Sequence, residues 1–289
     1  MIARLKEQGF DLAELCEAME VSRSGYYAHR RKPEGARRRK DAALRPLVAA
    51  AFERSRETYG TPRIRHELIR QTGEPVSRAR IGRLMDDMGI APRDKRSFVP
   101  RTTIADRTAV PAPNLLLDMP PTTAINQVWV TDITYIQTGE DWLYLAAVMD
   151  LHSRRILGWA AAPHMRAELV TEALHRACST RSTRPPAGLI VHSDRGSQYT
   201  SALWQNNLGL LRMTSSMSRT ANCYDNATME SFWATLKAEA FRHIPATQQE
   251  ARILIHDFID SFYNTHRLHS SLDYRSPIAF ESYPYCHLN

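Results

Sequence analysis

The chain has 289 residues, enough for two domains at about 100–200 residues each. Hydrophobic residues make up 43% of it, yet no apolar run approaches the roughly 18–20 residues that cross a bilayer, and the N-terminal stretch mixes Arg4, Lys6, Glu7, Asp11 and Glu14 among its apolar residues, unlike a secretory signal. The formal net charge of +7 is uneven: residues 1–110 hold 24 Lys/Arg against 15 Asp/Glu, and the remainder 14 against 16. A membrane protein is thus excluded as an expectation and a cytoplasmic one expected. The basic third suggests either a nucleic-acid-binding arm or a merely solvated basic surface. The four cysteines, Cys16, Cys178, Cys223 and Cys286, form no CxxC pair, which argues against a zinc site or a disulfide framework.

In chain order, Leu12 to Met19 reads as a short helix, and Ser22 as the N-cap of a second one reaching about Arg30. The basic run Arg30-Arg31-Lys32 and Arg37 to Lys40, broken by Pro33 and Gly35, reads as a linker or a DNA-backbone arm. Thr61-Pro62 is expected as an N-cap with proline at the first helical position, starting a helix that buries Ile64, Leu68 and Ile69. After a turn at 72–75, Ser77 caps a helix with Ile81, Leu84, Met85 and Met88 on one face and Arg78, Arg80 and Arg83 projecting from it, ended by Gly89. Two short helices about a tight turn, the second rich in arginine, fit a helix-turn-helix whose arginines contact DNA. The Pro-, Arg- and Thr-rich stretch 92–126 reads as an extended linker.

From Gln127 the pattern alternates as strands do. Strands are expected at 127–137, 142–150, 154–162, 189–193 and 211–216. Helices are expected around Leu169 to Ala177, over 200–208, from Asp225 to Phe241, and from Thr247, where Thr247 and Glu250 match a capping box and Leu254, Ile255, Phe258, Ile259 and Phe262 point inward. The first three strands, on short connections, should be antiparallel and the later two, joined through helices, parallel. The expected fold class is α/β: a mixed five-stranded sheet with flanking helices, preceded by a small all-helical region. The expected domains are an N-terminal helical segment (1–40), a helix-turn-helix-like unit (41–95), a linker (96–125) and a catalytic domain (126–289).

Three acids stand out. Asp132 lies in the middle of a strand among Val128, Val130, Thr134 and Ile136, where a carboxylate is costly unless something pairs with it. Asp194 follows a buried strand at its C-terminal end, where open α/β sheets bind ligands. Glu230 sits in a helix among Met229, Phe232 and Trp233. Such acids on three elements suit Mg²⁺ or Mn²⁺, and two ions about 3.5–4 Å apart can activate a hydroxyl and stabilise a leaving oxygen of a phosphodiester. Each acid also has a plain reading: an arginine partner for Asp132, a helix cap for Asp194, a surface position for Glu230. His192, His266 and His269 read as structural or phosphate-contacting rather than as metal ligands.

Three segments carry a family resemblance: Trp129-Val-Thr-Asp-Ile-Thr-Tyr135, His192-Ser-Asp-Arg-Gly-Ser-Gln-Tyr199, and the run from Asn222 through Glu230 to Lys237. They closely resemble the motifs of the retroviral-integrase-like transposases of bacterial insertion sequences, in the family typified by insertion sequence three. The 35 residues between Asp194 and Glu230, the tail Tyr263 to Leu272 followed by Ser276-Pro277, and Tyr59-Gly60 resemble that family too. The resemblance implies an RNase H-like catalytic domain in which Asp132, Asp194 and Glu230 are the metal-binding catalytic acids, holding two Mg²⁺ or Mn²⁺ ions. Lys237 then matches a basic residue that approaches DNA near the site. Gly196, Ser197 and Gln198 form a flexible loop, and Asn222, Asp225 and Asn226 line the approach to Glu230. Ala221 stands where the family usually has glycine.

The activity implied is a transposase that frees 3′-hydroxyls at element ends and joins them to DNA. Its implied partners are terminal inverted repeats and target DNA, further copies of the chain assembled on that DNA, and an upstream-frame protein carrying a helix-turn-helix and leucine zipper. The chain shows no heptad run for such a zipper, so it reads as the downstream, catalytic part, nucleoid-associated when bound. Two rivals are a non-catalytic DNA-binding regulator and an RNase H-type nuclease that cuts without joining.

Overall fold

A computed structural model describes residues 1–31, 36–92, 112–181, 186–218 and 227–283. Three short helices open the chain: α1 (Ile2–Glu7), α2 (Leu12–Ala18) and α3 (Arg23–Arg31). Asp11 caps α2 by accepting from the Ala13 and Glu14 amides, and the Ser22 hydroxyl accepts from the Gly25 amide as expected of a cap. Leu12, Cys16 and Tyr26 form a small core of their own.

The first correction is α4 (Ala36–Arg54). The basic residues Arg37 to Lys40 are its exposed opening turns, not a linker. Pro46 lies inside this helix at a cost of about 3 kcal/mol relative to alanine. Burial of Val48, Ala51 and Phe52 against Ile64, Leu68, Ile81 and Leu84 offsets it. The next pair is α5 (Thr61–Thr72) and α6 (Arg78–Asp87). Gly60, not Thr61, is the N-cap of α5, with Pro62 in its first turn. Gly73 ends it at φ +71°, a conformation open to glycine. Ser77 caps α6 through the Arg80 amide.

The sheet contains β1 (Val128–Gln137), β2 (Trp142–Asp150), β3 (Ile156–Ala162), β4 (Ile190–Ser193) and β5 (Thr214–Met217). Its order is β3-β2-β1-β4-β5. β1 pairs antiparallel with β2, and β2 with β3, while β4 and β5 run parallel to β1. Strict alternation sorts β1 between two cores. Val128, Val130 and Ile136 face α10 (Ala227–Ala240) and α11 (Gln248–His256). Trp129 joins the opposite core with α7 (Ala167–Thr180) and α9 (Ala202–Leu211).

Where the chain was expected to be helical from 200, it makes α8 (Ser197–Thr200), breaks at Ser201 and restarts as α9. α11 keeps its Thr247 cap and then widens into a π-helical stretch, Asp257–Tyr263, burying Phe258, Ile259 and Phe262. A single turn, Ser270–Leu272, and α12 (Pro277–Ser282) complete the described chain. Of the expected linker, the stretch from Pro113 is pinned to the sheet edge. The Pro113 carbonyl accepts from the Met217 amide at 3.3 Å, and the Leu115 amide donates to Ser216 Oγ at 3.0 Å.

α7 crosses β3 at Gly158. A Cβ there would lie 2.3 Å from the Ala177 nitrogen and 2.4 Å from the Ala173 carbonyl oxygen. Both are helix backbone, so α7 itself would have to move. Gly158→Val is expected to lower stability by about 1–3 kcal/mol or more, read as a lower urea midpoint. An unchanged midpoint would show that α7 can shift without loss.

Candidate active site

Parallel pairing sets the geometry. Val130 of β1 stands opposite His192 of β4, the last pair of the parallel ladder; Asp132 lies two residues further along β1, and Asp194 directly follows the last residue of β4. Both line one small cleft with Met165, Gly196 and Gln198. Asp194 Oδ1 accepts from the Gly196 amide at 2.9 Å. A Cβ on Gly196 would sit 3.0 Å from that oxygen and 2.8 Å from Gln198 Oε1, so glycine lets the chain wrap the carboxylate. Gln198 Nε2 donates to the Met165 carbonyl at 2.9 Å. The segment expected as a flexible loop, Gly196 to Gln198, is therefore a cap and helical turn tied to the opposite wall.

Asp132 Oδ2 accepts from Trp233 Nε1 at 2.9 Å. Its carboxyl is pushed up to about 7 by burial first, then by the charge of Asp194 and, more weakly, that of Glu230, against the Trp233 hydrogen bond. Three carboxylates thus share one field. They do not form a closed set: among the described residues no group of three or more His, Cys, Asp or Glu stands close enough to hold an ion. Glu230 occupies the first turn of α10 and is exposed. A buried aspartate repelled by two other acids, with oxygen donors only, fits a hard divalent cation.

Lys237, two turns beyond Glu230, places its ammonium 5.0 Å from the centre of the Tyr135 ring. Burial lowers its pKa, opposed by the charge of Asp132. On α6, Arg78 and Arg83 are exposed. Arg80 is half-buried and its Nε bonds Asp41 Oδ1 at 2.6 Å, so its charge is engaged within the helical unit. Ala221, Asn222, Asp225 and Asn226 lie outside the described residues, as do Cys223 and Cys286. His192 is buried with Nδ1 on Ser216 Oγ at 2.9 Å, and His266 bonds the Ser261 carbonyl. Neither joins the acids.

In the sequence Trp233 reads only as an apolar neighbour of Glu230, yet it holds Asp132. Its spacing of three from Glu230 on one helix face was the available signal that it also looks toward β1. The C-terminal tail proves to be a clamp. Asn264 pairs through its side chain with both backbone groups of Ile156 at 2.9 Å, covering the start of edge strand β3. The Leu268 amide donates to Tyr59 Oη at 2.7 Å, and that hydroxyl donates to the His266 carbonyl at 3.2 Å. His66 stacks on Tyr274 at 3.6 Å.

Sheet order, helices on both faces and a carboxylate cleft at the end of neighbouring parallel strands define an RNase H-like integrase core, here behind a helix-turn-helix-like unit. The family model "Integrase core domain" matches residues 122–223, a second of the same description 211–277, and "HTH-like domain" 38–98. The 31 kDa protein of insertion element IS600 from Shigella sonnei is 43% identical over 267 residues, 92% of this chain and 97% of that one. Transposase InsF for insertion sequence IS3A from Escherichia coli K12 is 37% identical, covering 94% of each. A looser likeness is the HTLV-2 integrase catalytic core domain in complex with magnesium, at 12% identity and a TM-score of 0.43, covering 55% of this chain and 98% of that one. The chain belongs to the integrase-like transposases of bacterial insertion sequences, in the insertion sequence three family.

Proposed function

We propose that this chain cuts element ends to free 3′-hydroxyls and joins them to DNA by metal-dependent phosphodiester transesterification, with Asp132, Asp194 and Glu230 as its catalytic acids. The observation that carries the reading is the pair Asp132 and Asp194 lining one cleft, with the charge of Glu230 felt at Asp132. Asp132 and Asp194 form the fixed half of the ligand set. Trp233 holds the rotamer of Asp132, and Gly196 and Met165 hold Asp194 and Gln198 in place. Glu230, on the exposed first turn of α10, completes the set from the rim. Bound there, Mg²⁺ or Mn²⁺ ions, two per site, supply activation of a water or 3′-hydroxyl and stabilisation of the leaving oxygen. Lys237 and Gln198 contact DNA beside the acids, and Asn226 is assigned the same role from the family resemblance. Arg78 and Arg83 contact phosphates from α6. Arg80 keeps its neighbour Asp41 in place rather than reaching for DNA. An upstream-frame helix-turn-helix and leucine-zipper protein, or fusion, and further copies of the chain are the proposed partners on the inverted repeats.

The test is a joining assay on labelled DNA carrying the flanking ends of the gene, with the upstream frame fused where one exists, in Mg²⁺ and in EDTA. Joined product in Mg²⁺ alone supports the reading. Cleavage without joining leaves a nuclease, and metal-indifferent binding without either leaves a regulator.

The cleft also makes a prediction about stability. The folded-state pKa of Asp132, about 7, lies above the ordinary 3.8. Between those values the unfolded chain has lost a proton that the folded chain keeps, so this residue's contribution to stability falls as pH rises through that window and stays low above it. In EDTA at pH 8, Asp132→Asn is expected to melt higher than wild type, with the gap closing toward pH 4. Mg²⁺ should raise the melting temperature of wild type but not of the variant. A variant that melts lower at pH 8 would remove Asp132 from the repulsive cluster.

A further inference from the structure

α10 has two working faces. Residues 230, 233 and 237 look toward β1, as the contacts of Trp233 and Lys237 show. Residues 228, 231 and 235 carry the same spacing displaced by two positions, about 200° around the helix. They line a second cavity of about 400 Å³, walled also by α5, the turn after β2 and the segment 267–271. That volume falls within the usual range for small-ligand sites.

Three arginines reach this cavity. The Arg267 charge is matched by Glu239, through hydrogen bonds of 2.8 and 2.6 Å. Arg63 donates from Nε to the Leu268 carbonyl at 2.9 Å, and Arg154 from one terminal nitrogen to Thr228 Oγ1 at 2.6 Å. Among the described residues neither has a carboxylate partner. Both are largely removed from solvent, and burial lowers the pKa of each. Arg154 is held at φ +61°, a left-handed conformation that costs a non-glycine residue about 1–3 kcal/mol and persists where surroundings enforce it.

Beside them, His269 is kept neutral by burial and the neighbouring arginines, its pKa down to about 3. Its Nε2 is buried with no hydrogen-bond partner among the described residues. Leaving a polar atom so costs about 1–3 kcal/mol. The ring meets Tyr263 edge-on at 4.8 Å, and Tyr263 meets Phe232 at 4.9 Å; both rings are buried and show the cavity only their edges, below a cationic rim.

Two guanidiniums without a carboxylate in hydrogen-bond reach, an orphaned neutral imidazole and aromatic ring edges around one half-open cleft suit an anion joined to a flat ring. We propose that this cavity holds one unstacked nucleotide of a DNA strand, its phosphate on Arg63 and Arg154 and its base beside His269 and the ring edges of Phe232 and Tyr263. It rests on the reading that the chain acts on DNA but not on its chemistry. Arginine forks suit phosphate, and the orphaned Nε2 of His269 suits a polar base edge. The site would fix a strand on one face of α10 while the acids act on the other.

The test uses the whole chain in EDTA, where no reaction runs. The probe is a 5′-phosphorylated thymidine trinucleotide, too short for helix-turn-helix recognition, with inorganic phosphate as comparison, both titrated by calorimetry. Arg154→Gln is expected to weaken trinucleotide binding about tenfold or more, the loss of one charged hydrogen bond. Ser271→Trp, which fills the cavity from its exposed rim, should do the same with an unchanged melting temperature and serves if Arg154→Gln fails to fold. The titration runs without metal and reads binding alone, so a failed joining assay would leave this result standing. Equal binding by wild type and Ser271→Trp overturns the proposal. So does inorganic phosphate binding as tightly as the trinucleotide, which would make this a free-anion site.

Discussion

Glu230→Gln is expected to lose strand joining by on the order of a thousandfold while leaving fold and DNA binding intact. The substitution keeps the size and the helix propensity of the side chain and removes only the charge. Glu230 is exposed in the first turn of α10, so stability should stay within about 0.5 kcal/mol. What is lost is the acid proposed to complete the ligand set from the rim, and metal-ion stabilisation of a transferring phosphoryl group amounts to several kcal/mol, each 1.36 kcal/mol being about tenfold in rate. The informative comparison is with Asp132→Asn, which should also abolish joining yet stabilise the metal-free protein at pH 8. One acid is exposed and free of strain. The other is buried and repelled by its neighbours. Electrophoretic mobility shift on the same labelled ends checks binding, and joined product checks chemistry. Joining by Glu230→Gln within tenfold of wild type would take Glu230 out of the site.

The sheet was legible because its residues obey a period of two. β1 reads Val-Trp-Val-Thr-Asp-Ile-Thr-Tyr-Ile, and its two faces bury into two separate cores. Connection lengths then gave strand direction, and the parallel pairing of β1 with β4 brings Asp132 and Asp194 into one cleft. α4 was hidden for the opposite reason: arginines crowd its start and Pro46 interrupts it, so its apolar stripe is apparent only against α5 and α6. In the stretch 257–263 the inward residues Phe258, Ile259 and Phe262 were legible and are buried, but its π-helical widening was not, because a widened turn leaves no mark in the apolar spacing. The partner of Asp132 lies 101 residues away and that of the Leu268 amide 209, separations no local pattern reports. Family motifs marked residues 263–272 as important, but only packing reveals a clamp in which Asn264 covers an edge strand and Leu268 engages Tyr59.

That clamp carries the second large effect. Arg267→Ala is expected to cost about 3–5 kcal/mol of stability. The side chains of Arg267 and Glu239 are 4% and 7% exposed and meet through two hydrogen bonds. Burial alone would lower the pKa of Arg267, but the bonds and charge of Glu239 outweigh it, and the net shift is upward. Removing the guanidinium leaves the Glu239 carboxylate enclosed without its hydrogen-bonded counter-charge, and it also frees the 266–268 backbone that engages Tyr59 and Arg63. The helix-turn-helix-like unit should therefore loosen from the catalytic unit along with the loss of stability, giving faster proteolysis between them. Replacing both partners by leucine should cost less than Arg267→Ala alone, because no unpaired charge is then buried. Urea denaturation followed by tryptophan fluorescence measures each. A single-variant loss under about 1 kcal/mol, the range of surface ion pairs, would mean that water reaches Glu239 and that the pair does not hold the two units together.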